Sequence, residues 1–248
     1  MAQNIYDHDG FFTAYSGLRR SVDGLEGAPE WPRLRALLPP MQGLRVLDLG
    51  CGFGWFCRFA SWEGAASVTG LDLSRRMLAR ARAEGGERIR YLRADLDTLD
   101  ATTLPAELAG PFDLAYSSLA LHYLPDPGRL FAAVHAALAP RGRFVFSTEH
   151  PIYMAPSRPD WSRDGAGRRI WPLDNYAAEG PRETDWLAGR VRKHHRMLGT
   201  TLNLLIAAGF AIRHVEEFCP STAQVAADPA LEEERDRPMF LLVSAETG

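Results

Sequence analysis

The feature that most limits what this chain can fold into is an alternation of patterns beginning at "VLDLGCGFGWFCRFA", Val46 to Ala60. A short apolar run ends on three glycines, Gly50, Gly52 and Gly54, and a stretch with helical spacing follows. The alternation then repeats. "SVTGLDL" has a strand pattern and "SRRMLARARAEG" a helical one, with Ser74 placed to cap its start and Gly85 its end. "RIRYLRAD" and "FDLAYSS" read as strands, "DPGRLFAAVHAALAPRG" as a helix entered through Pro127, and "GRFVFSTE" as a fifth strand. Strands separated by helices in this way require right-handed crossovers, and therefore a parallel sheet covered on both faces.

After Glu149 the rhythm breaks. "HPIYMAPSRPDWSRDGAGRRIWPLDNYAAEGPRETDW" is rich in Pro, Gly and aromatic residues, as expected for an insertion over the sheet. "RVRKHHR" suits an extended segment and "MLGTTLNLLIAAG" a helix with Leu198, Leu202, Leu205 and Ile206 on one side. "AIRHVEEF" and "PMFLLVSA" read as two last strands. The organisation expected is a helical cover over residues 1–40 and a domain over 41–248, with an insertion at about 150–195 forming a lid over substrate.

Composition excludes several classes. The chain has 248 residues and a formal net charge of -3, so no global basic field favours nucleic acid or a membrane surface. Three cysteines, Cys51, Cys57 and Cys219, have neither paired spacing for disulfides nor metal-ligand spacing. No segment approaches the roughly 18 apolar residues of a membrane span, and the start is polar and acidic, so a cytoplasmic protein is expected. Of the 28 basic residues only Lys193 is a lysine, a bias that makes individual arginines less informative.

The glycine turn is the candidate ligand site. Where the first strand of a parallel sheet turns into its helix, side chains would block a ligand, and glycine removes them. Asp72 ends the next strand, where an acid accepts hydrogen bonds from ribose hydroxyls. Turn and acid together predict a nucleoside-containing ligand. The dinucleotide fingerprint G-x-G-x-x-G would place its third glycine at position 55, which is Trp55, and no G-x-x-x-x-G-K-[ST] loop is present.

"VLDLGCGFG" resembles motif I of the class I S-adenosylmethionine (SAM)-dependent methyltransferases. "LDLSRRML" is similar to that family's acid and helix start after the second strand. "YLRADLDTLD" places Asp95 where the family has an acid near the adenine. "FDLAYSSLALHYLPDPGRLFAAVHAALAPRGRFVFS" is similar to the small-molecule branch that contains the ubiquinone-type enzymes. The resemblance implies a doubly wound, Rossmann-like sheet of seven mostly parallel strands, the last antiparallel. It implies SAM as methyl donor, S-adenosylhomocysteine as product and a small-molecule acceptor. It also implies that Gly50, Cys51, Gly52 and Gly54 admit the amino acid part of SAM, with Asp48 orienting the turn. Asp72 would hold the ribose, Leu73 and Met77 would pack near the adenine, and Ala94, Asp95 and Leu96 would meet its edge. Ser117 would face the methionine part. The aromatic N-terminal segment with Tyr6, Phe11 and Phe12 reads either as a cover over the cofactor, with Tyr15 and Arg19 or Arg20 near the methionine carboxylate, or as an amphipathic helix packed on the sheet edge.

Methyl transfer from a sulfonium is an in-line displacement. Alignment does most of the work, and a base is needed only for a protonated nucleophile. His122, beyond the fourth strand, is the first candidate; Glu149 and His150 end the fifth strand, and one of His194 and His195 faces inward from an extended segment. Ser117-Ser118-Leu119-Ala120 stands where methyltransferases of nucleic acid amines carry an Asn/Asp-Pro-Pro-Tyr/Phe signature, which argues against that substrate class. Tyr153, Trp161, Trp171, Tyr176 and Trp186 in the insertion suit either a ring-binding pocket or a small core of their own. A SAM-binding protein without transfer activity and a nicotinamide-dependent oxidoreductase are the rival readings. The expected partner is a small molecule, and monomer and homodimer both remain compatible with the sequence.

Overall fold

The computed structural model describes residues 3–86, 88–108 and 110–248. Three short helices come first: α1 (Asp9–Ser16), α2 (Arg19–Val22) and α3 (Trp31–Leu37). Then follow β1 (Arg45–Leu49), α4 (Trp55–Trp62), β2 (Ser67–Asp72), α5 (Arg75–Ala83), β3 (Ile89–Arg93), β4 (Phe112–Ser118), α6 (Pro127–Ala137) and β5 (Leu138–Glu149). The insertion contains α7 (Pro151–Met154) and two hairpins, β6 (Ser162–Arg163) with β7 (Arg169–Ile170), and β8 (Gly180–Trp186) with β9 (Gly189–His195). The chain returns through α8 (Leu198–Ala207), β10 (Ala211–Glu217), α9 (Thr222–Ala227) and β11 (Phe240–Glu246).

Seven strands form one sheet in the order β3-β2-β1-β4-β5-β11-β10. Only β11 runs against its neighbours; the other pairings are parallel. This is the doubly wound topology that the alternating patterns and the family resemblance predict. After β1 the chain builds outward through β2 and β3, then crosses to place β4 on the other side. The crevice beyond the carboxyl ends of β1 and β4 is therefore the topological switch point where such sheets bind ligands.

Strand alternation fills both faces. Leu47 and Leu49 of β1 point to a cluster with Phe131, Phe144, Phe146 and Leu205, beneath α6 and α8. Val46 points the other way, to Trp31, Leu34, Phe56 and Leu78 from α3, α4 and α5. Local chemistry sets the helix starts. Ser74 caps α5 by accepting the Met77 N–H at 3.1 Å, and Asp126 caps α6 ahead of Pro127.

The insertion is pinned from the C-terminal side. The Arg237 guanidinium lies over the rings of Trp171, Tyr153 and Trp161 at 4.5, 4.8 and 5.2 Å and pairs with Glu234 at 2.6 Å. Trp161 and Trp171 thus form a small core, while Tyr153 and Trp186 reach the cavity described below.

Burial separates costly from neutral truncations. Phe144, fully buried, should lose about 3–5 kcal/mol of unfolding free energy as Phe144→Ala, whereas Trp62→Ala, at a site 77% exposed, should change it by less than about 0.5 kcal/mol, both read by urea titration.

Candidate functional site

Gly50, Gly52 and Gly54 all adopt positive φ, at +78°, +53° and +75°. A Cβ on Gly50 would lie 2.5 Å from the Ala120 Cβ, and one on Gly52 would point into open space. The first glycine lets the turn after β1 approach the segment after β4; the second leaves the main chain bare toward the crevice. Gly50 and Cys51 donate their N–H groups to Leu71 O at 2.9 and 2.8 Å, which ties the turn to β2. The Asp72 carboxylate accepts from Gly52 N at 2.9 Å through one oxygen and from Ser74 N at 2.8 Å through the other. Burial pushes its pKa up to about 6, with the N–H groups of Ser74 and Gly52 opposing. Asp48 lies deeper, beneath α4, where Cys57 Sγ donates to it at 3.2 Å, and burial pushes it up to about 7.

The crevice opens into a cavity of about 690 Å³. The N-terminal segment forms one wall. Asp7 accepts from Ser74 Oγ at 2.6 Å and from the Arg76 N–H at 3.1 Å, capping α5 from outside. Burial raises the Asp7 carboxyl, but these donors outweigh it and hold it below its ordinary pKa. Tyr6 Oη meets Tyr123 Oη at 2.9 Å. Tyr15 and Arg20 line the same wall, and buried Glu30 holds Arg20 at 3.1 Å. Gln224, Asp228 and Leu231, from the segment between β10 and β11, also reach the cavity.

At the far end lie His122, Glu149 and Lys193. His122 is buried, and its desolvation drops its pKa to about 4, so the ring is neutral. Its Nδ1 accepts the Glu149 N–H at 3.3 Å, which assigns the ring proton to Nε2, 3.9 Å from Glu149 Oε1. In this tautomer His122 offers the cavity a donor rather than a base. Lys193 Nζ donates to Glu149 Oε1 at 2.5 Å beside the Trp186 ring.

Of the residues singled out from sequence, Tyr15, Arg20, Asp48, Gly50, Cys51, Gly52, Asp72, Leu73, Met77, Asp95, Leu96 and His122 all border the cavity. Gly54 instead sets the entry to α4, and Ala94 lies off the lining. Ser117 is fully buried and donates to Leu49 O at 2.8 Å; Tyr116 and Ser118, on the opposite face of β4, border the cavity in its place. His150 is turned away, its Nε2 2.8 Å from Glu217 and its Nδ1 accepting from Ile152 N at the start of α7. His195 lies off the cavity with its Nε2 on Tyr176 O at 2.8 Å. Lys193, absent from the candidates read from sequence, shares with His195 the buried face of β9 and borders the cavity. Period-two alternation back from His195 was the signal for it. No group of His, Cys, Asp and Glu among the described residues could hold a metal ion.

This strand order, a glycine turn after β1 and a carboxylate at the end of β2 define the class I SAM-binding fold. Residues 46–142 match the family described as Methyltransferase domain. An S-adenosylmethionine-dependent methyltransferase from Mesorhizobium loti superimposes with a TM-score of 0.84 at 66% identity, over 90% of this chain and 100% of that one. A Haemophilus influenzae protein of uncharacterised function is 33% identical over 217 residues, 86% of this chain and 85% of that protein. The ubiquinone biosynthesis O-methyltransferase of Bordetella avium is 34% identical over 119 residues, where the match spans about half of each, 48% of this chain and 47% of that protein. The chain belongs to the SAM-dependent methyltransferases, and SAM is the cofactor its site fits: the main chain at Gly52 is open toward the cavity and the Asp72 carboxylate borders the same space.

Two measurements test the site. Asp72→Ala should weaken SAM binding by about 1.5–3 kcal/mol, as loss of charge-assisted hydrogen bonds does, in calorimetric titration of the folded variant. The second concerns Asp48. Its folded pKa, about 7, lies above its unfolded value, so the stability it contributes is complete at low pH and is lost as pH rises through 7. Asp48→Asn removes that loss. The melting temperature of the variant minus that of wild type should therefore grow from pH 5 to pH 8, and a constant difference would refute the assignment.

Proposed function

We propose that this chain transfers the methyl group of SAM to a small, largely apolar acceptor, giving S-adenosylhomocysteine. The observation that supports this reading most is the continuity of the cavity. One space runs from Asp72 and the glycine turn to His122, Glu149 and Lys193, walled by Tyr6, Tyr15, Tyr123, Tyr153 and Trp186. When bound, SAM supplies an activated methyl on a positively charged sulfur. The chain's part is to bind, to align and to exclude water.

In this reading Asp72 receives the ribose hydroxyls, Leu73, Met77 and Leu96 flank the adenine, and Arg20, steadied by Glu30, faces the methionine carboxylate. Residues 1–40 act as a cover and the insertion at about 150–195 as a lid. Contacts from the cover's first residues along the cavity wall, Asp7 on the α5 start and Tyr6 on Tyr123 among them, support that role, while α3 packs into the core through Trp31 and Leu34. A macromolecular acceptor is disfavoured by the aromatic cavity walls and by the net charge of -3. No helix among the described residues is long and apolar enough to cross a membrane. The family match over 46–142 and the O-methyltransferase named among the relatives support methyl transfer over hydride transfer.

Mass spectrometry of SAM incubated with the protein and a panel of aromatic and aliphatic acceptors should show S-adenosylhomocysteine formed in equal amount to a methylated product. Tight SAM binding with no turnover across the panel would favour the non-catalytic alternative. If the cover closes the site, Asp7→Ala should weaken SAM binding about three- to tenfold, mainly through faster dissociation, because it removes a charged cap.

A further inference from the structure

Resting on the methyl-transfer reading, we infer that the acceptor is a neutral hydroxyl on a ring-bearing molecule, received between Glu149 and Lys193, with Glu149 as its base. The two side chains border the cavity at only 12% and 8% exposure. Lys193 Nζ occupies one carboxylate oxygen, Oε1, at 2.5 Å and makes no other hydrogen bond among the described residues. The second oxygen, Oε2, is buried without a hydrogen-bond partner. A buried acceptor left unpaired beside an ammonium with N–H groups to spare is an unfinished network.

The group that completes it must donate once, to Oε2, and accept once, from Nζ. A hydroxyl does both. A carboxylate brings only acceptors and sets its charge against Glu149. An ammonium brings only donors and sets its charge against Lys193. An ether has nothing to donate. Tyr123, Tyr153 and Trp186 around the pair favour a flat apolar body, and His122 Nε2–H adds a neutral donor nearby.

The choice of lysine fits the same requirement. Every other basic residue in the chain is an arginine. An arginine fork pairs with both oxygens of a carboxylate at once and would close Oε2, whereas a lysine occupies one and leaves the other open. In the reaction the acceptor O–H bond breaks, its proton goes to Glu149 Oε2 and its electron pair stays on oxygen. That oxygen bonds the methyl carbon as the carbon–sulfur pair returns to sulfur. Lys193 faces the charge developing on oxygen, and Glu149 then yields its proton to water.

The test is calorimetric titration of the protein saturated with S-adenosylhomocysteine, using four matched probes: 2-naphthol, 2-methoxynaphthalene, 2-naphthoate and 2-naphthylmethylamine. 2-Naphthol should bind at least about tenfold more tightly than the other three. Lys193→Arg should erase that preference while keeping the charge, and Glu149→Gln should erase methylation of 2-naphthol. The double variant Glu149→Leu/Lys193→Met leaves no unpaired buried charge; it should fold, bind S-adenosylhomocysteine as wild type does, and rank the naphthol and its ether alike. Equal affinities for the four probes, including no binding of any, or a preference for naphthoate or the amine, would overturn the inference. Failure of S-adenosylhomocysteine itself to bind would instead overturn the methyltransferase reading.

Discussion

The site depends on one carboxylate that does two jobs. Asp72 accepts the N–H of Gly52 through one oxygen and that of Ser74 through the other, and so joins the turn after β1 to the start of α5. The turn cannot drift from β2 without breaking a half-buried, charge-assisted bond. Ser74 carries the constraint outward, since its hydroxyl meets Asp7 while accepting from Met77. Turn, carboxylate, helix start and N-terminal segment are thereby one hydrogen-bonded unit.

The cavity is dry enough to reset its ionisable groups. Asp48 and Asp72 are raised by desolvation, and His122 is lowered far enough to be neutral at physiological pH. A cationic ligand suits such surroundings, because its charge offsets the cost of keeping two carboxylates ionised near the turn. At the opposite end the charges are already paired, Lys193 with Glu149, so that end of the cavity is polar but close to neutral. This division matches a reaction in which a cationic donor meets a neutral partner.

Much of the architecture was legible in the sequence. Short-range patterning carried it: the five strands and three helices from Arg45 to Glu149, Ser74 as a cap, and α8 with two closing strands all follow from period and punctuation. Asp72 and the glycines were legible because a ligand at a sheet edge needs bare backbone and an acid at fixed places. Other features depend on contacts across the chain. Nothing local shows that Gln224 and Leu231 reach the cavity, or that Trp161 and Trp171 wrap Arg237 instead of a ligand. Ser117 and His150 occupy the functional edge of the sheet, as expected, but strand alternation and a helix cap turn their side chains away. Composition alone says nothing of where the one lysine lies; its pairing with Glu149 arises only from the packing of β9 against the end of β5.

The central claim is that a nucleoside sits with its sugar on Asp72 and its amino acid part over the bare turn. A crystal structure of the protein with S-adenosylhomocysteine tests it most directly. The account predicts both ribose hydroxyls within hydrogen-bond distance of the Asp72 carboxylate and the sulfur directed toward the His122–Glu149–Lys193 end of the cavity. A ribose bound away from Asp72, or a ligand seated outside this cavity, would contradict it.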